Sequence, residues 1–202
     1  MAKIALGMYA VFLLSAFGGR TWLQYVRTRD HGLRMLWREW NSIEWLAVVL
    51  FAVGAMLAGL SPLAELSGFA GPERRAAAPW LGVIGVILTL LGFTLAIVAQ
   101  LDMRESWRIG VGVQERTALV TAGLFAHVRN PIFSGVLLGC LGLVLMVPNL
   151  LSFVALASLL LGIELQVRRV EEPYLMRIHG SRYLSYARQV GRFVPGIGCM
   201  SP

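Results

Sequence analysis

Long apolar stretches, separated by short clusters of arginine and small polar residues, make up most of the hydropathy pattern of the chain. A membrane-spanning helix needs roughly 20 apolar residues, with a range of about 17–25. Five segments are predicted to be spans on this basis, and the first and fourth are short for one. They are Ile4–Gly18, Ile43–Leu60, Trp80–Ala99, Ile132–Val147 and Leu150–Val167. The pattern predicts an all-α integral membrane helical bundle, a single domain over residues 1–202, with five transmembrane helices and a C-terminal cytoplasmic or interfacial helix.

The first segment has a second interpretation, because a cation followed by a short apolar run is also typical of a secretory signal peptide. No small-x-small cleavage pattern follows this run, and Phe17 and Arg20 stand where such a site is expected. We therefore predict that the segment is a retained span. The stretch Arg20–Asn41 that follows interleaves aromatic residues with arginine, which indicates an interfacial amphipathic segment at headgroup depth.

The connection between the fourth and fifth segments is Val147–Leu150, which contains a proline and an asparagine. These residue types mark turns, so the two helices are predicted to form a tight antiparallel hairpin. The fourth segment also carries small residues at three- and four-residue spacing, which favours close packing against another helix. They are Ser134, Gly135, Gly139 and Gly142.

Composition and charge agree with a membrane protein. The chain is 57% apolar and 14% charged, whereas a soluble domain has about 45–50% apolar and about 25% charged residues. The net charge of +7 is compatible with binding either nucleic acid or an anionic membrane surface. Because long apolar stretches interrupt the basic residues, the membrane surface is favoured and nucleic acid is not expected as a partner.

The cations also predict an orientation. With five spans, fifteen of the 18 cations fall on one side, and only Lys3, Arg74 and Arg75 fall on the other. Cytoplasmic loops carry the excess of Lys and Arg. We therefore expect the N-terminus outside and the C-terminus in the cytoplasm, in a bacterial inner membrane.

Two segments on the predicted cytoplasmic side carry more polar and special residues than anchoring requires. In the first, Leu101–Phe133, Pro131 forces Asn130 into an extended conformation and begins a helix. An Arg129–Asn130 pair at a helix N-terminus predicts a polar ligand site. A simple N-cap by Asn130 beside a headgroup-level Arg129 explains the same residues, and spacing alone leaves both interpretations open.

The second segment is Glu164–Pro195. Polar groups such as Glu164 and Gln166 at the end of a span are costly and usually face a cavity. The Glu171–Glu172 pair is either an acid/base pair or part of an amphipathic helix with self-compensating charges, and helical neighbours point about 100° apart, which weakens the first interpretation. No metal site is expected, because the two cysteines and three histidines lack metal-ligand spacing.

Taken together, these two segments resemble the isoprenylcysteine carboxyl methyltransferase family, integral membrane enzymes related to the phospholipid N-methyltransferases. The first part of the resemblance is Leu119-Val120, Gly123, Phe125, Arg129-Asn130-Pro131, Phe133 and Gly135. After a helical hairpin the second part is Glu171-Glu172, Leu175, Gly180, Tyr183, Tyr186 and Arg192-Phe193-Val194-Pro195. Order and spacing match over the C-terminal half of the chain, whereas the N-terminal half carries no recognisable motif.

The resemblance implies S-adenosylmethionine as the cofactor, held by residues 101–135 and 164–195. The cofactor contacts implied or expected at these positions are Gly110, Thr117, Ala118, Leu119, Val120, Phe125, Arg129, Asn130, Pro131, Ile132, Phe133 and Glu171. The chain departs from the family where Asn130 replaces a histidine and where Phe125 and Phe133 replace tyrosines. The family's substrate-binding arginine falls on Val167, so Arg168 is the nearest replacement. Arg168 and Glu172 are the expected catalytic residues.

The resemblance implies methyl transfer from S-adenosylmethionine to a lipophilic acceptor, such as the carboxylate of a prenyl-cysteine-like or other lipid-like small molecule, at the cytoplasmic membrane face. Displacement at a sulfonium requires mainly positioning and desolvation, with no metal. A carboxylate acceptor needs no base, whereas an amine or a thiol would use Glu164 or Glu172. The expected partners are thus the acceptor and the lipid bilayer. Two alternatives remain, a membrane-embedded NADPH-dependent reductase and a non-catalytic membrane scaffold or transporter.

Overall fold

The computed structural model describes residues 1–30, 42–69, 79–104 and 118–201, and these ranges are largely helical. The helices are α1 (Ala2–Leu13), α2 (Arg20–Thr28), α3 (Ile43–Leu66), α4 (Pro79–Asp102), α5 (Pro131–Met146), α6 (Leu150–Leu165), α7 (Glu172–His179) and α8 (Ser181–Gln189). Two π-helical turns, Leu14–Gly19 and Gln166–Glu171, join α1 to α2 and α6 to α7 without a break, and a 3₁₀ turn covers Gly123–Ala126. The predicted all-α membrane bundle is confirmed.

Four continuous helices in the described part of the chain are long and apolar enough to cross a membrane. They are Ala2–Thr28, Ile43–Leu66, Pro79–Asp102 and Leu150–His179. Helix α5 is apolar but has only 16 residues. At 1.5 Å per residue it is about 24 Å long, shorter than the hydrocarbon core of about 30 Å. The number of five spans therefore remains a prediction.

The first span differs from its prediction, because the helix continues beyond Gly18 as far as Thr28. Arg20, expected at the membrane interface, is buried and donates hydrogen bonds to the carbonyl oxygens of Gln100 and Arg104. The last carbonyls of a helix have no partner within it. Arg20 supplies donors to the end of α4, which explains why it lies inside the bundle. Residues 31–41 of the expected interfacial segment lie outside the described residues.

Glycines on α5 bring this helix very close to α4. A Cβ atom added to Gly92 would lie 2.5 Å from the Gly135 carbonyl oxygen, and one added to Gly135 would lie 2.6 Å from the Ala96 nitrogen. The prediction that small residues on α5 allow close packing is correct. The partner is α4 rather than the next helix in the chain, and α6 packs most extensively against α3.

The turn between α5 and α6 lies at the opposite end of the bundle from Arg20. Asn149 caps α6 by accepting a hydrogen bond from the Ser152 backbone at 3.0 Å. Its amide nitrogen also donates to the Ser61 carbonyl at 3.1 Å, which ties the turn to the last turns of α3. The end of α4 and the start of α5 therefore share the other end of the bundle with α7 and α8.

Candidate active site

A cavity of about 300 Å³ lies between the spans and the C-terminal helices. Its part within the bundle is lined by apolar and aromatic side chains, among them Tyr9, Phe12, Phe51, Val136 and Leu159. The remaining part, called the polar half below, combines apolar side chains with polar ones, which include Asn130, Gln166, Glu171, Tyr183 and Tyr186. The cavity thus joins an apolar half to a polar half at one end of the bundle.

The structure brings most of the predicted cofactor residues to this cavity. The lining includes Ala118, Leu119, Val120, Phe125, Arg129, Asn130, Pro131, Ile132, Phe133 and Glu171. Gly110 and Thr117 lie outside the described residues. Segments that are about forty residues apart in the sequence therefore form one wall, and their contacts with a cofactor remain a prediction.

A tight turn before α5 places Phe125 in this wall. Gly123 has a φ of +62°, and a Cβ atom at this position would collide with the Asp102 carboxylate. That carboxylate accepts a hydrogen bond from the Leu124 backbone at 2.9 Å. The Tyr186 hydroxyl donates to the Phe125 carbonyl at 2.6 Å. The end of α4 and the middle of α8 therefore hold the turn from both sides.

Arg129 is anchored by the C-terminal part of the chain. Its side chain is only 2% exposed and its Nη2 lies 2.9 Å from Glu172 Oε1. Its Nη1 donates to the carbonyl oxygens of Ala187 and Val190 at 2.7 and 2.6 Å. Such burial rules out the headgroup-level arginine that was one of the two interpretations of this motif.

Asn130 does not form the N-cap that the same interpretation required. Its side chain makes no capping hydrogen bond to α5, and its amide nitrogen donates to the Arg192 carbonyl at 3.1 Å. Its backbone nitrogen donates to the same carbonyl at 3.1 Å. Ser134, one turn into α5, donates to the Phe193 carbonyl at 2.7 Å. The segment after α8 therefore clamps the start of α5, which supports the other interpretation, a polar site at this helix end.

Glu172 is held by two arginines. Arg192 donates from Nε to Glu172 Oε1 at 2.8 Å and from Nη2 to Oε2 at 3.0 Å, in addition to the contact with Arg129. The glutamate side chain is 6% exposed. Its hydrogen bond raises the pKa of Arg192. Because both carboxylate oxygens are engaged, the geometry favours a positioning role for Glu172 over the predicted catalytic one.

Two tyrosines of α8 line the polar half in neutral form. Burial raises the pKa of Tyr183 well above its ordinary value and raises that of Tyr186 to about 12. Their rings lie 6.2 Å apart. Both hydroxyls therefore act as neutral hydrogen-bond donors and acceptors at physiological pH.

Arg168 does not lie where the sequence prediction needs it. Its side chain is 55% exposed and forms an ion pair with Glu164, one helical turn earlier. Neither residue lines the cavity, whereas Val167 is fully buried. Successive side chains on a helix point in different directions, so replacing an arginine at 167 by one at 168 moves its charge to another face. The predicted catalytic role of Arg168 is not supported by its position.

Several lining residues come from the half of the chain that carries no recognisable motif. They are Tyr9, Phe12, Leu13, Ala16, Phe17, Ala47, Val48, Phe51, Ala55 and Gln100. The π-helical turn at 14–19 contributes Ala16 and Phe17, and such turns often occur at functional sites. In the sequence these residues look like ordinary components of spans. Gln100, a polar residue near the end of a span, is the one signal that could have been noticed.

Comparison with known proteins identifies this architecture. A family model described as phospholipid methyltransferase matches residues 80–182, about half of the chain. Protein-S-isoprenylcysteine O-methyltransferase B of Arabidopsis thaliana is 28% identical over 147 residues, which are 72% of this chain and 73% of that protein. The A form from the same plant is 29% identical over 147 residues, with the same coverage.

A solved structure shares the fold. A eukaryotic intramembrane Ras methyltransferase, isoprenylcysteine carboxyl methyltransferase, superimposes with a TM-score of 0.61 and 23% sequence identity. The match covers 96% of this chain and 66% of that chain, so this protein spans slightly less than two thirds of its length. The resemblance noted in the sequence is confirmed: the chain belongs to the phospholipid methyltransferase family, is similar to the isoprenylcysteine carboxyl methyltransferases, and is an integral membrane methyltransferase.

Proposed function

We propose that the protein transfers the methyl group of S-adenosylmethionine to the carboxylate of a lipophilic acceptor, either prenyl-cysteine-like or another lipid-like small molecule. The observation that carries this proposal is the cavity itself, which joins an apolar half between the spans to a polar half lined by the expected cofactor residues. The apolar half would accommodate the long apolar chain of such an acceptor. The polar half would accommodate a polar, cationic cofactor.

The residues of the polar half fit this cofactor. Glu171 supplies a carboxylate, and Phe125 and Phe133 supply aromatic rings in the same wall, which suits a cationic ligand. Two buried polar atoms of lining residues, Arg129 Nε and Gln166 Oε1, have no hydrogen-bond partner in the described structure. Buried polar atoms normally have one, so a polar ligand would complete the site. When bound, S-adenosylmethionine supplies a methyl group activated by a sulfonium.

The protein would contribute mainly positioning and exclusion of water. Phe12 and Phe51 lie in the apolar half, where they would hold the acceptor's chain between the spans. Tyr183 and Tyr186 would orient its polar end through neutral hydroxyls. Fixing two reactants in a dry site accelerates a displacement. A carboxylate nucleophile needs no general base, which agrees with the engagement of Glu172 by two arginines.

The acceptor class follows from the named relatives. The two plant proteins are isoprenylcysteine O-methyltransferases, and the apolar half of the cavity supports a similarly lipophilic acceptor here. The family's substrate arginine is absent at Val167. We therefore extend the proposal to other lipid-like carboxylates instead of limiting it to prenyl-cysteine.

The polar half is proposed to face the cytoplasm. Arginines flank the same end of the bundle at Arg104 and along α7 and α8, and this charge bias supports an inside location. With the N-terminus outside and the C-terminus in the cytoplasm, the cofactor would enter from the cytosol and the acceptor from the bilayer of a bacterial inner membrane. Residues 1–202 would form one domain around this site.

A ligand-binding test comes first. Purified protein in detergent is heated with S-adenosylhomocysteine and, separately, with NADPH. We expect stabilisation by the former only. Stabilisation by NADPH alone would instead support a reductase.

Methyl transfer is then measured with radiolabelled S-adenosylmethionine and N-acetyl-S-farnesylcysteine. The matched control is the methyl ester of the same compound, which keeps the lipid chain but lacks the free carboxylate. Label should enter only the free acid or, if that compound is not accepted, another carboxylate from a lipid extract. Transfer confined to amine-bearing lipids would contradict O-methylation.

A further inference from the structure

Gln166 is a buried polar residue in the wall of the cavity, and the proposed mechanism assigns it no particular ligand group. It begins the π-helical turn Gln166–Glu171, directly after the apolar helix α6. The residue is 9% exposed and lines the cavity. A glutamine at this depth loses contact with water and needs hydrogen-bond partners from its surroundings.

One end of the Gln166 amide has a partner and the other does not. Its Nε2 donates to Glu171 Oε1 at 3.3 Å. Its Oε1 is buried with no hydrogen-bond partner in the described structure. Because the nitrogen is directed to a carboxylate, the orientation of the amide is defined, and the unpartnered atom is an acceptor. The missing partner must therefore be a donor.

The π-helical turn explains why Gln166 and Glu171 lie together. In a π-helix the backbone hydrogen bonds join residues i and i+5, so residues five apart come close to the same face. In a regular α-helix the repeat is 3.6 residues, and residues five apart point in different directions. The turn therefore places a carboxylate and an amide side by side in the same wall, and such turns often occur at functional sites.

This pair is suited to a cationic donor. A neutral carbonyl oxygen and a neighbouring carboxylate together favour a group that carries both N–H bonds and a positive charge, such as an ammonium. Of the two ligands of the proposed function, an N-acylated prenyl-cysteine or another lipid-like carboxylate has no ammonium at its reacting end. The methyl donor has one, on its amino-acid group.

We propose that Gln166 contacts the cofactor, its side-chain carbonyl accepting a hydrogen bond from the α-ammonium of S-adenosylmethionine while Glu171 supplies the opposite charge. The inference rests on the proposed function and adds a residue to its site. Gln166 and Glu171 together would then select for the amino-acid end of the cofactor.

The test compares two ligands on two variants. S-adenosylhomocysteine carries the amino-acid group, and 5′-methylthioadenosine has the same nucleoside and thioether but lacks it. Gln166→Met keeps the length of the side chain and removes the acceptor together with the hydrogen bond to Glu171. Gln24→Met is the matched control, since Gln24 is also buried in a helix but does not line the cavity. Affinities are measured by calorimetry in detergent, and unfolding of the ligand-free proteins shows that each variant is folded.

We expect Gln166→Met to weaken S-adenosylhomocysteine binding about tenfold or more, as for the loss of a hydrogen bond to a charged group. Its affinity for 5′-methylthioadenosine should stay within about twofold of wild type, and Gln24→Met should change neither. Equal weakening of both ligands, or of neither, would overturn the inference while leaving the proposed function intact. If wild type itself bound no S-adenosylhomocysteine, the proposed function and the inference would both fail.

Discussion

Glu172 Oε1 lies 2.9 Å from Arg129 Nη2, and the two side chains are almost completely buried. They come from α7 and from the residue pair before α5, so the contact joins the two sequence segments that form the candidate site. Removing one partner of a buried ion pair leaves the other charge uncompensated. We therefore expect Glu172→Gln to lower the free energy of unfolding by about 3–5 kcal/mol, measured by denaturant unfolding in mixed micelles.

The matched control for this substitution is Glu164→Gln. Glu164 also pairs with an arginine, but that arginine, Arg168, is largely exposed. An exposed pair contributes about 0–1 kcal/mol. A similar loss of stability in both variants would show that the buried ion pairs of Glu172 contribute no more to the free energy of unfolding than an exposed pair does.

The turn that carries Phe125 gives a second prediction. In Gly123→Ala, the new methyl group meets the Asp102 carboxylate and the backbone has a φ of +62°. The turn must move, so we expect the affinity for S-adenosylhomocysteine to fall about tenfold or more, which corresponds to about 1.4 kcal/mol of binding free energy. Binding is measured by calorimetry.

Gly196→Ala separates backbone strain from collision. Gly196 has a φ of +73°, and a Cβ atom there meets nothing within 4 Å. This variant should lose about 1 kcal/mol of stability from strain and keep its affinity. If Gly123→Ala bound the ligand as well as Gly196→Ala, the turn would not shape the site.

The contact between α4 and α5 predicts the effect of added volume. Gly92→Ala places a methyl group against the backbone of α5, which cannot yield as a flexible side chain does. Overpacking costs about 1–3 kcal/mol or more, so the midpoint of thermal unfolding should fall. Gly7→Ala on α1, where a Cβ atom has open space, should leave it unchanged or raise it slightly, because alanine is the better helix former. Equal midpoints for Gly92→Ala and Gly7→Ala would mean that α4 and α5 can move apart without loss of stability.

Alkaline pH should destabilise the C-terminal helices. Burial raises the pKa of Tyr186 to about 12, whereas an unfolded tyrosine titrates near 10. Below pH 10 both states are protonated and Tyr186 adds no pH dependence. Between about pH 10 and 12 the unfolded state ionises first, so stability falls by up to about 1.4 kcal/mol per pH unit.

Tyr186→Phe tests the origin of this slope. The variant loses the hydrogen bond to the Phe125 carbonyl and about 1 kcal/mol at neutral pH. Its stability should then fall less steeply above pH 10, because one buried hydroxyl no longer titrates. A slope identical to that of wild type would assign the alkaline transition to other groups, Tyr183 among them.

Hydropathy and local motifs predicted those features, such as helices and their first residues, that are determined by residues close together in the sequence. The apolar runs predicted the apolar helices of the bundle, and Pro131 predicted the start of α5. Contacts between distant residues were not predictable in this way. Arg20 enters the bundle because α4 ends beside it with unpaired carbonyls. Arg129 is buried because carbonyls of α8 and of the residue after it, about sixty positions later, accept its hydrogen bonds.

Contacts with distant residues also decide where the side chain of Arg168 lies, which is why its predicted catalytic role lacks support. Its identity and its proximity to the position of a family arginine suggested a substrate contact, but the rotation per residue on a helix directs it away from the cavity, where it is 55% exposed beside Glu164. We therefore expect Arg168→Ala to keep the Michaelis constants for cofactor and acceptor within about twofold, since exposed ion pairs contribute little. Arg129→Ala, whose side chain lines the cavity and holds α8, should abolish methyl transfer. A large rise in the acceptor's Michaelis constant for Arg168→Ala alone would show that this side chain turns inward when the acceptor binds.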